Sequence, residues 1–158
     1  MRPQTDTIWG RMKKITVLIV EDEALIRMGT AYMLQDAGYG VVEAANADAA
    51  IWILENRTDI RVVFTDIKMP GRLCGLKLAR TIFDRWPPIH LIVASGLSVP
   101  SEAEFPGMAR FIRKPYAPDD ILRTLDEMLG PSPAPYRYLR TVKQNYGKVA
   151  CDGRPHFG

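Results

Sequence analysis

The sequence contains few of the residues that build disulfide frameworks or transition-metal sites. Among 158 residues, only two are cysteine and two are histidine. Cys74, Cys151, His90 and His156 do not follow a metal-ligand spacing, so no zinc or haem site is predicted. Two thiols without a disulfide scaffold are typical of a reducing compartment, and we therefore expect a cytoplasmic location.

Long apolar runs are also missing. No stretch has the length that a transmembrane helix needs, and the amino-terminal residues lack the apolar centre of a signal peptide. We therefore expect no membrane span. A hydrophobic content of 47% in a chain of this length predicts one domain with an ordinary core.

The net charge of +3 is distributed unevenly. Residues 1–14 carry four basic and one acidic side chain, residues 131–158 carry five and one, and the part between carries 12 and 16. A DNA-binding domain concentrates basic residues on one folded face, so none is predicted. We interpret 1–13 as a flexible arm, 14–130 as the folded domain, and 131–158 as a proline-rich linker with a disordered basic tail.

Short apolar runs alternate with segments of helical periodicity along residues 14–130. Such alternation predicts an α/β fold with a parallel sheet and right-handed crossovers. Asn46 is a suitable N-cap, Pro118 suits the first turn of a last helix, and Trp86-Pro87-Pro88 ends the helix before it. The predicted strands occupy residues 15–20, 40–44, 62–66, 89–94 and 109–112.

Polar side chains follow four of these strands, at the point where each strand ends. They are Glu21 and Asp22, then Asp66, then Ser95, and then Lys114. Carboxyl ends of parallel strands share one edge of the sheet, where ligands bind in open α/β folds, so these groups are expected to converge. Neighbouring carboxylates repel, and a divalent cation compensates their charge; oxygen ligands favour Mg²⁺. A metal ion and a lysine together would neutralise a phosphoryl group.

These motifs resemble the receiver domain of two-component response regulators, the CheY-like family. The resemblance covers residues 14–130 and implies a doubly wound, flavodoxin-like sheet of five parallel strands in the order 2-1-3-4-5. It rests on the segments Val17–Glu23, Thr65–Gly71, Ala94–Gly96 and Lys114-Pro115.

The resemblance also implies a role for each residue of the motifs. Asp66 corresponds to the phosphoacceptor. The expected Mg²⁺ ligands are Glu21, Asp22, Asp66 and the backbone carbonyl of Lys68; Ser95 and Lys114 are expected to contact phosphate, Phe111 to act as an aromatic switch, and the bond before Pro115 to be cis.

Two features depart from the family pattern. The segment between Ser95 and Phe111 is short and contains Pro100 and Pro106, so a short or degenerate fourth helix is expected. The turn from Gly71 to Gly75 is longer than is common, as in single-domain receivers of the alphaproteobacterial kind.

The predicted function is a phosphorylation-dependent signalling switch. The resemblance implies that a sensor histidine kinase or a histidine phosphotransfer protein supplies the phosphoryl group, and that output passes to a downstream protein target. The chain would be a monomer or weak dimer, with at most intrinsic self-phosphorylation and self-dephosphorylation. The alternative is a receiver-like interaction module that works without phosphorylation, through its basic ends.

Simpler interpretations exist for individual residues. Asp66 alone fits an ordinary helix-capping or turn carboxylate, and Glu21 and Asp22 fit a cap for a helix starting near Ala24. Ser95 fits a turn serine, and Phe111 fits a core aromatic. For the side chain of Lys68 we expect a solvated surface position.

Overall fold

The computed structural model describes residues 14–69, 74–96 and 109–130. Within these residues, five strands and four helices are present, and the apolar runs Val17–Val20 and Leu91–Ala94 lie in strands. The elements are β1 (Thr16–Val20), α1 (Ala24–Asp36), β2 (Gly40–Ala44), α2 (Ala47–Asn56), β3 (Ile60–Asp66), α3 (Gly75–Arg85), β4 (His90–Ser95), β5 (Ala109–Arg113) and α4 (Pro118–Leu129).

All strand pairs are parallel, and the sheet order is β2-β1-β3-β4-β5. The predicted doubly wound, flavodoxin-like sheet is therefore confirmed. β3 is the central strand, with Thr65 beside Val20 of β1 and Asp66 beside Ala94 of β4. Consequently the carboxyl ends of β1, β3 and β4 lie next to one another.

Helices cover both faces of the sheet, and each face has its own core. Alternate residues of β1 point to opposite faces, Leu18 and Val20 toward α2 and α3, and Val17 and Ile19 toward α1 and α4. Burial on both faces explains why these strands read as continuous apolar runs.

The predicted helix boundaries depend on caps that the structure contains. The Asn46 side chain accepts a hydrogen bond from the Ala49 N–H at 2.8 Å at the start of α2. Pro118 opens α4, and the Asp120 carboxylate accepts from the Ala117 N–H at 2.8 Å. α3 ends at Arg85, directly before Trp86 and the two prolines.

Helix α1 is apolar on the side that faces away from the sheet. Leu25, Met28 and Tyr32 recur at helical spacing, yet they are 85%, 60% and 74% exposed. The buried side of α1 is formed by Thr30, Ala31 and Leu34, of which only Leu34 is a large apolar residue. The outer face is thus more hydrophobic than its position in a single chain requires.

Several expectations fall on residues outside the described part. These are the arm 1–13, the linker and tail 131–158, the turn 70–73, and the segment 97–108 with its expected short fourth helix. None of the described helices is long and apolar enough to cross a membrane.

Candidate functional site

Asp66 ends the central strand and is buried, with 7% of its surface exposed. Its Oδ1 accepts a hydrogen bond from the Lys68 N–H at 3.1 Å, as a turn-forming carboxylate does. Its Oδ2 accepts from Lys114 Nζ at 2.5 Å, across 48 residues of sequence. A turn role explains the hydrogen bond of Oδ1 only. Oδ2 is paired with the ammonium of Lys114, which follows a different strand.

Lys114 follows the last residue of β5, and its own backbone is held in place. Its N–H donates to the Ser95 carbonyl at 2.7 Å, and the Lys114–Pro115 peptide bond is cis. Burial lowers the pKa of the Lys114 ammonium, but the hydrogen bond to Asp66 and the negative charges of Asp66 and Glu21 outweigh it. The pKa is therefore raised above its ordinary value, and Lys114 remains a cation at neutral pH.

Glu21 lies just past the end of β1 and is 2% exposed, which is unusual for a carboxylate. Its N–H donates to the Ala44 carbonyl at 3.1 Å, and its Oε1 accepts from the Glu23 N–H at 3.1 Å. Burial raises the pKa of Glu21, and the contact with the Asp22 carboxyl and the charge of Asp66 raise it as well. The Glu23 hydrogen bond and the Lys114 ammonium act in the opposite direction.

The capping interpretation does not account for the acidic pair. The N-cap of α1 is Glu23, whose side chain makes no capping hydrogen bond, and the first turn of α1 contains no acidic residue. Glu21 instead points its carboxylate toward Asp22 and the charged pair of Asp66 and Lys114. Asp22 is exposed, so it lies at the solvent side of the group.

The charges of this group fit a divalent cation. Three carboxylates, those of Glu21, Asp22 and Asp66, face a single ammonium, which leaves two negative charges uncompensated. In the described part of the chain, no three acidic, histidine or cysteine side chains converge closely enough to enclose an ion. Mg²⁺ keeps several waters and takes one or two carboxylates plus phosphate oxygens, so an open, partly formed ligand set suits it.

The remaining predicted site residues occupy the same edge of the sheet or its neighbourhood. Ser95 is buried at the end of β4. Phe111 is half-buried, lies beside Val93 in the register, and packs against the core under α2 and α3. The side chain of Lys68 is exposed. The roles of these three residues stay predictions.

Gly75, the first residue of α3, is a structural requirement that the sequence did not reveal. A Cβ atom on Gly75 would lie 1.8 Å from the carbonyl oxygen of Asp66, and the Gly75 N–H donates to the Ile67 carbonyl at 3.1 Å. Only a glycine permits this approach. Its position at the first turn of a helix after an acidic strand end was the one available signal.

Two further residues, Tyr116 and Arg27, escaped sequence reasoning. Tyr116 follows the cis-proline, hydrogen-bonds Thr30 of α1, and meets the Phe64 ring edge-on at a centroid distance of 5.9 Å. Arg27 donates from Nη1 to the Glu21 carbonyl at 2.7 Å. Nothing in the spacing of either residue indicates these contacts.

One residue of α1 lies directly beside this site. A cavity of about 420 Å³, lined by Ile26, Lys114, Pro115 and Tyr116, lies between the helix and the residues after β5. Ile26 of α1 therefore borders the lysine that holds Asp66.

Comparison with known proteins agrees with the geometry. The family described as the response regulator receiver domain matches residues 17–126. The chain is 35% identical over 122 residues to the sensor kinase CckA of Brucella abortus, which covers 72% of this chain and 12% of the kinase. It is 36% identical over 114 residues to the transcriptional regulatory protein PdtaR of Mycobacterium tuberculosis, covering 70% of this chain and 54% of PdtaR.

A solved structure gives the same result for the fold. The chemotaxis protein CheY4 of Vibrio cholerae superposes with a TM-score of 0.65 at 26% identity, covering 73% of this chain and 99% of CheY4. The chain corresponds to only part of each of the two curated relatives. The family match spans more than half of the chain and includes every strand-end residue described above, and the chain therefore belongs to the response regulator receiver family.

Proposed function

We propose that this chain is a phosphorylation-dependent signalling switch whose phosphoacceptor is Asp66. The observation that supports it is the environment of that carboxylate: buried at the end of the central strand, held by Lys114, and next to the acidic pair Glu21 and Asp22. A buried carboxylate destabilises the fold unless another group compensates its charge, because burial penalises ions. Perturbed, converging titratable groups are typical of functional sites.

The proposed reaction is transfer of a phosphoryl group to the Asp66 side chain. One carboxylate oxygen forms a bond to phosphorus as the bond between phosphorus and a donor nitrogen breaks, and the leaving imidazole of the donor histidine keeps the electron pair and is protonated. Transfer through a loose transition state depends mainly on positioning and on neutralised charge at the phosphoryl oxygens. Lys114 is placed to supply part of that charge, since its ammonium already contacts Asp66.

Mg²⁺ is the proposed cofactor, held by the carboxylates of Glu21, Asp22 and Asp66 and by the backbone carbonyl of Lys68. When bound, it would neutralise phosphoryl oxygens and the carboxylates that repel one another. Lys114 and the backbone N–H of Lys68 then keep the nucleophilic side chain in one orientation.

The proposed switch uses the link between β4 and β5. The Lys114 N–H donates a hydrogen bond to the Ser95 carbonyl. This bond connects the two residues that are expected to contact the phosphoryl group, Ser95 through its hydroxyl and Lys114 through its ammonium. A phosphoryl group contacting both residues would shift them together, and with them the surface formed by β4, β5 and α4. Phe111, a half-buried residue of β5 on the sheet face opposite α4, is the proposed aromatic switch.

The proposed phosphoryl donor is a sensor histidine kinase or a histidine phosphotransfer protein. The apolar outer face of α1 begins with Leu25, four residues after Glu21, and Ile26 of the same helix lines the cavity beside Lys114, so α1 is well placed to bind the helix that carries the donor histidine. A continuous exposed apolar surface beside a reactive group is typical of a protein contact site. The proposed output is contact with a downstream protein, in the cytoplasm, from a monomer or weak dimer.

The test is phosphorylation of the purified chain with acetyl phosphate and Mg²⁺. We expect intact-mass spectrometry to show one added phosphate, lost when Mg²⁺ is removed with EDTA. Asp66→Asn should stay unmodified, while the matched control Asp59→Asn, which changes an exposed aspartate paired with Arg57, should label normally. An unmodified wild-type protein, or equal labelling of Asp66→Asn, would refute the proposal and favour a phosphorylation-independent module.

A further inference from the structure

We propose that Arg27 is a positioning residue for the Mg²⁺ ligands, acting through the backbone of Glu21. This inference rests on the proposed function, because it concerns the proposed metal site. Arg27 lies in the first turn of α1 and its guanidinium is largely covered, although it contacts none of the site carboxylates. Its Nη1 donates instead to the carbonyl oxygen of Glu21 at 2.7 Å.

The hydrogen bond from Arg27 is one of three that hold Glu21 in place. The N–H of Glu21 is bound to Ala44 at 3.1 Å, and its Oε1 accepts from the Glu23 N–H at 3.1 Å. Arg27 also donates its own N–H to the Glu23 carbonyl at 2.9 Å. The turn between β1 and α1 is therefore fixed at its backbone, at its carboxylate and through the side chain of Arg27.

A second contact keeps the charge of Arg27 from competing with a cation. The Arg27 Nε lies 3.8 Å from Oε1 of Glu43, which belongs to β2 on the far side of β1. The pair is neutral overall, so the guanidinium holds the Glu21 backbone without adding a net positive charge beside the acidic pair. Arg suits this double role because its planar guanidinium can donate to the Glu21 carbonyl while its Nε stays beside the Glu43 carboxylate, whereas lysine presents one compact charge.

The restraint matters because the two carboxylates that it holds together repel each other. Glu21 and Asp22 are in direct side-chain contact, and burial makes the contact more costly. Without Arg27 the turn would relax and the pair would separate in the metal-free protein. Outer residues that orient metal ligands typically contribute roughly 10–100-fold to metal affinity.

A positioning role and a purely electrostatic role of Arg27 predict opposite changes in Mg²⁺ affinity when its side chain is removed. Removing a cation near two carboxylates should strengthen Mg²⁺ binding if Coulomb attraction alone decided the affinity. A positioning role predicts the reverse. We expect Arg27→Ala to weaken Mg²⁺ binding by roughly tenfold, and Arg27→Lys to recover part of the loss, because lysine can reach only one of the two partners.

The experiment is calorimetric titration of the full chain with MgCl₂, with urea unfolding in EDTA as a check on the fold. Arg57→Ala is the matched control, since it also removes an arginine from a carboxylate pair, at 2.7 Å from Asp59, far from the site. The control should bind Mg²⁺ like the wild-type protein. At saturating Mg²⁺, the labelling rate of Arg27→Ala with acetyl phosphate should approach the wild-type rate, because the defect is in affinity.

The outcomes separate this inference from the proposed function. A wild-type chain that binds no Mg²⁺ would overturn the proposed metal site, and the role of Arg27 with it. Wild-type binding together with unchanged or tighter binding by a folded Arg27→Ala would overturn the role of Arg27 alone. If Arg27→Ala does not fold, Arg27→Lys decides, and unchanged affinity of that variant would refute the inference.

Discussion

Position 75 accepts glycine only, because the main chain of Asp66 occupies the space that a Cβ atom would need. A methyl group there would lie 1.8 Å from the Asp66 carbonyl oxygen and 2.7 Å from its carbonyl carbon, both of which are main-chain atoms that cannot rotate away. The start of α3 and the end of β3 must therefore stay in direct backbone contact.

We expect Gly75→Ala to lower the free energy of unfolding by roughly 2–4 kcal/mol, as overpacking against main chain does. Labelling of Asp66 by acetyl phosphate should fall as well, since the strand end must shift. Urea unfolding measures the first effect. Gly29→Ala is the control: nothing lies within 4 Å of its Cβ in the middle of α1, so this change should stabilise by about 0.5–1 kcal/mol. Equal stability of Gly75→Ala and the wild type would contradict the geometry.

Glu21 illustrates a conflict between stability and function in one side chain. Burial raises the pKa of Glu21, so its ionised form costs free energy in the metal-free protein. Glutamine keeps an oxygen to accept the Glu23 N–H and removes the charge.

We therefore expect Glu21→Gln to raise the free energy of unfolding in EDTA at neutral pH, by roughly 0.5–2 kcal/mol. The same variant should gain less stability than the wild type when Mg²⁺ is added, because the stabilisation by a ligand that binds the folded state rises with the logarithm of its affinity. Thermal unfolding with and without MgCl₂ measures both effects. A variant that is less stable in EDTA, or equally stabilised by Mg²⁺, would show that Glu21 is an ordinary buried polar residue.

At the scale of elements, α1 carries more large exposed apolar side chains than any other described helix. Leu25, Met28 and Tyr32 recur at intervals of three and four residues, which places them along one stripe. The same periodicity that predicts a helix usually marks its buried face. In α1 the buried side is satisfied by Thr30, Ala31 and Leu34, so the outer stripe remains available.

This stripe gives a prediction that separates the protein donor from a small-molecule donor. The double variant Leu25→Ser, Tyr32→Ser should lose at least roughly tenfold in phosphoryl transfer from a phosphorylated donor protein, because truncating a central apolar contact commonly costs 2 kcal/mol or more. Its labelling by acetyl phosphate should match the wild type, since neither residue contacts Asp66 in the described structure.

The control for the stripe is Trp52→Ser. Trp52 is similarly large and 66% exposed, but it belongs to α2 on the other face of the sheet. It should change neither reaction. Equal transfer rates for the α1 variant and the wild type would place the donor on another surface.

The sequence predicted best those elements that depend on a single local signal, either burial on both faces of a strand or capping chemistry at a helix start. β1 and β4 read as apolar runs because both faces are covered, and Asn46 and Pro118 mark helix starts by local chemistry. β3 begins at Ile60, earlier than predicted, because the exposed Arg61 interrupts the apolar run. The orientation of α1 could not be read, since both of its sides contain apolar residues.

At the scale of the whole molecule, the site was predictable to the extent that it follows from topology. Parallel strands deliver Glu21, Asp66, Ser95 and Lys114 to one edge, and the structure brings Lys114 into contact with Asp66. The contacts of Arg27, Tyr116 and Gly75 depend on how helices and loops pack over that edge. Tyr116 contacts Phe64, which is distant in sequence, while Arg27 and Gly75 contact backbone atoms six and nine residues earlier, and neither periodicity nor capping chemistry predicts these contacts.

The order of the strands also determines when the site comes into existence. Asp66 lies on the middle strand, its acidic neighbours follow one flanking strand, and its lysine follows the strand at the sheet edge, two positions away. No two consecutive strands of the sequence supply Asp66 together with both its acidic neighbours and Lys114. A chain in which β5 has not yet paired therefore lacks the complete site. On the proposed function, the chain would accept a phosphoryl group only after β5 has paired with β4 and brought Lys114 to Asp66.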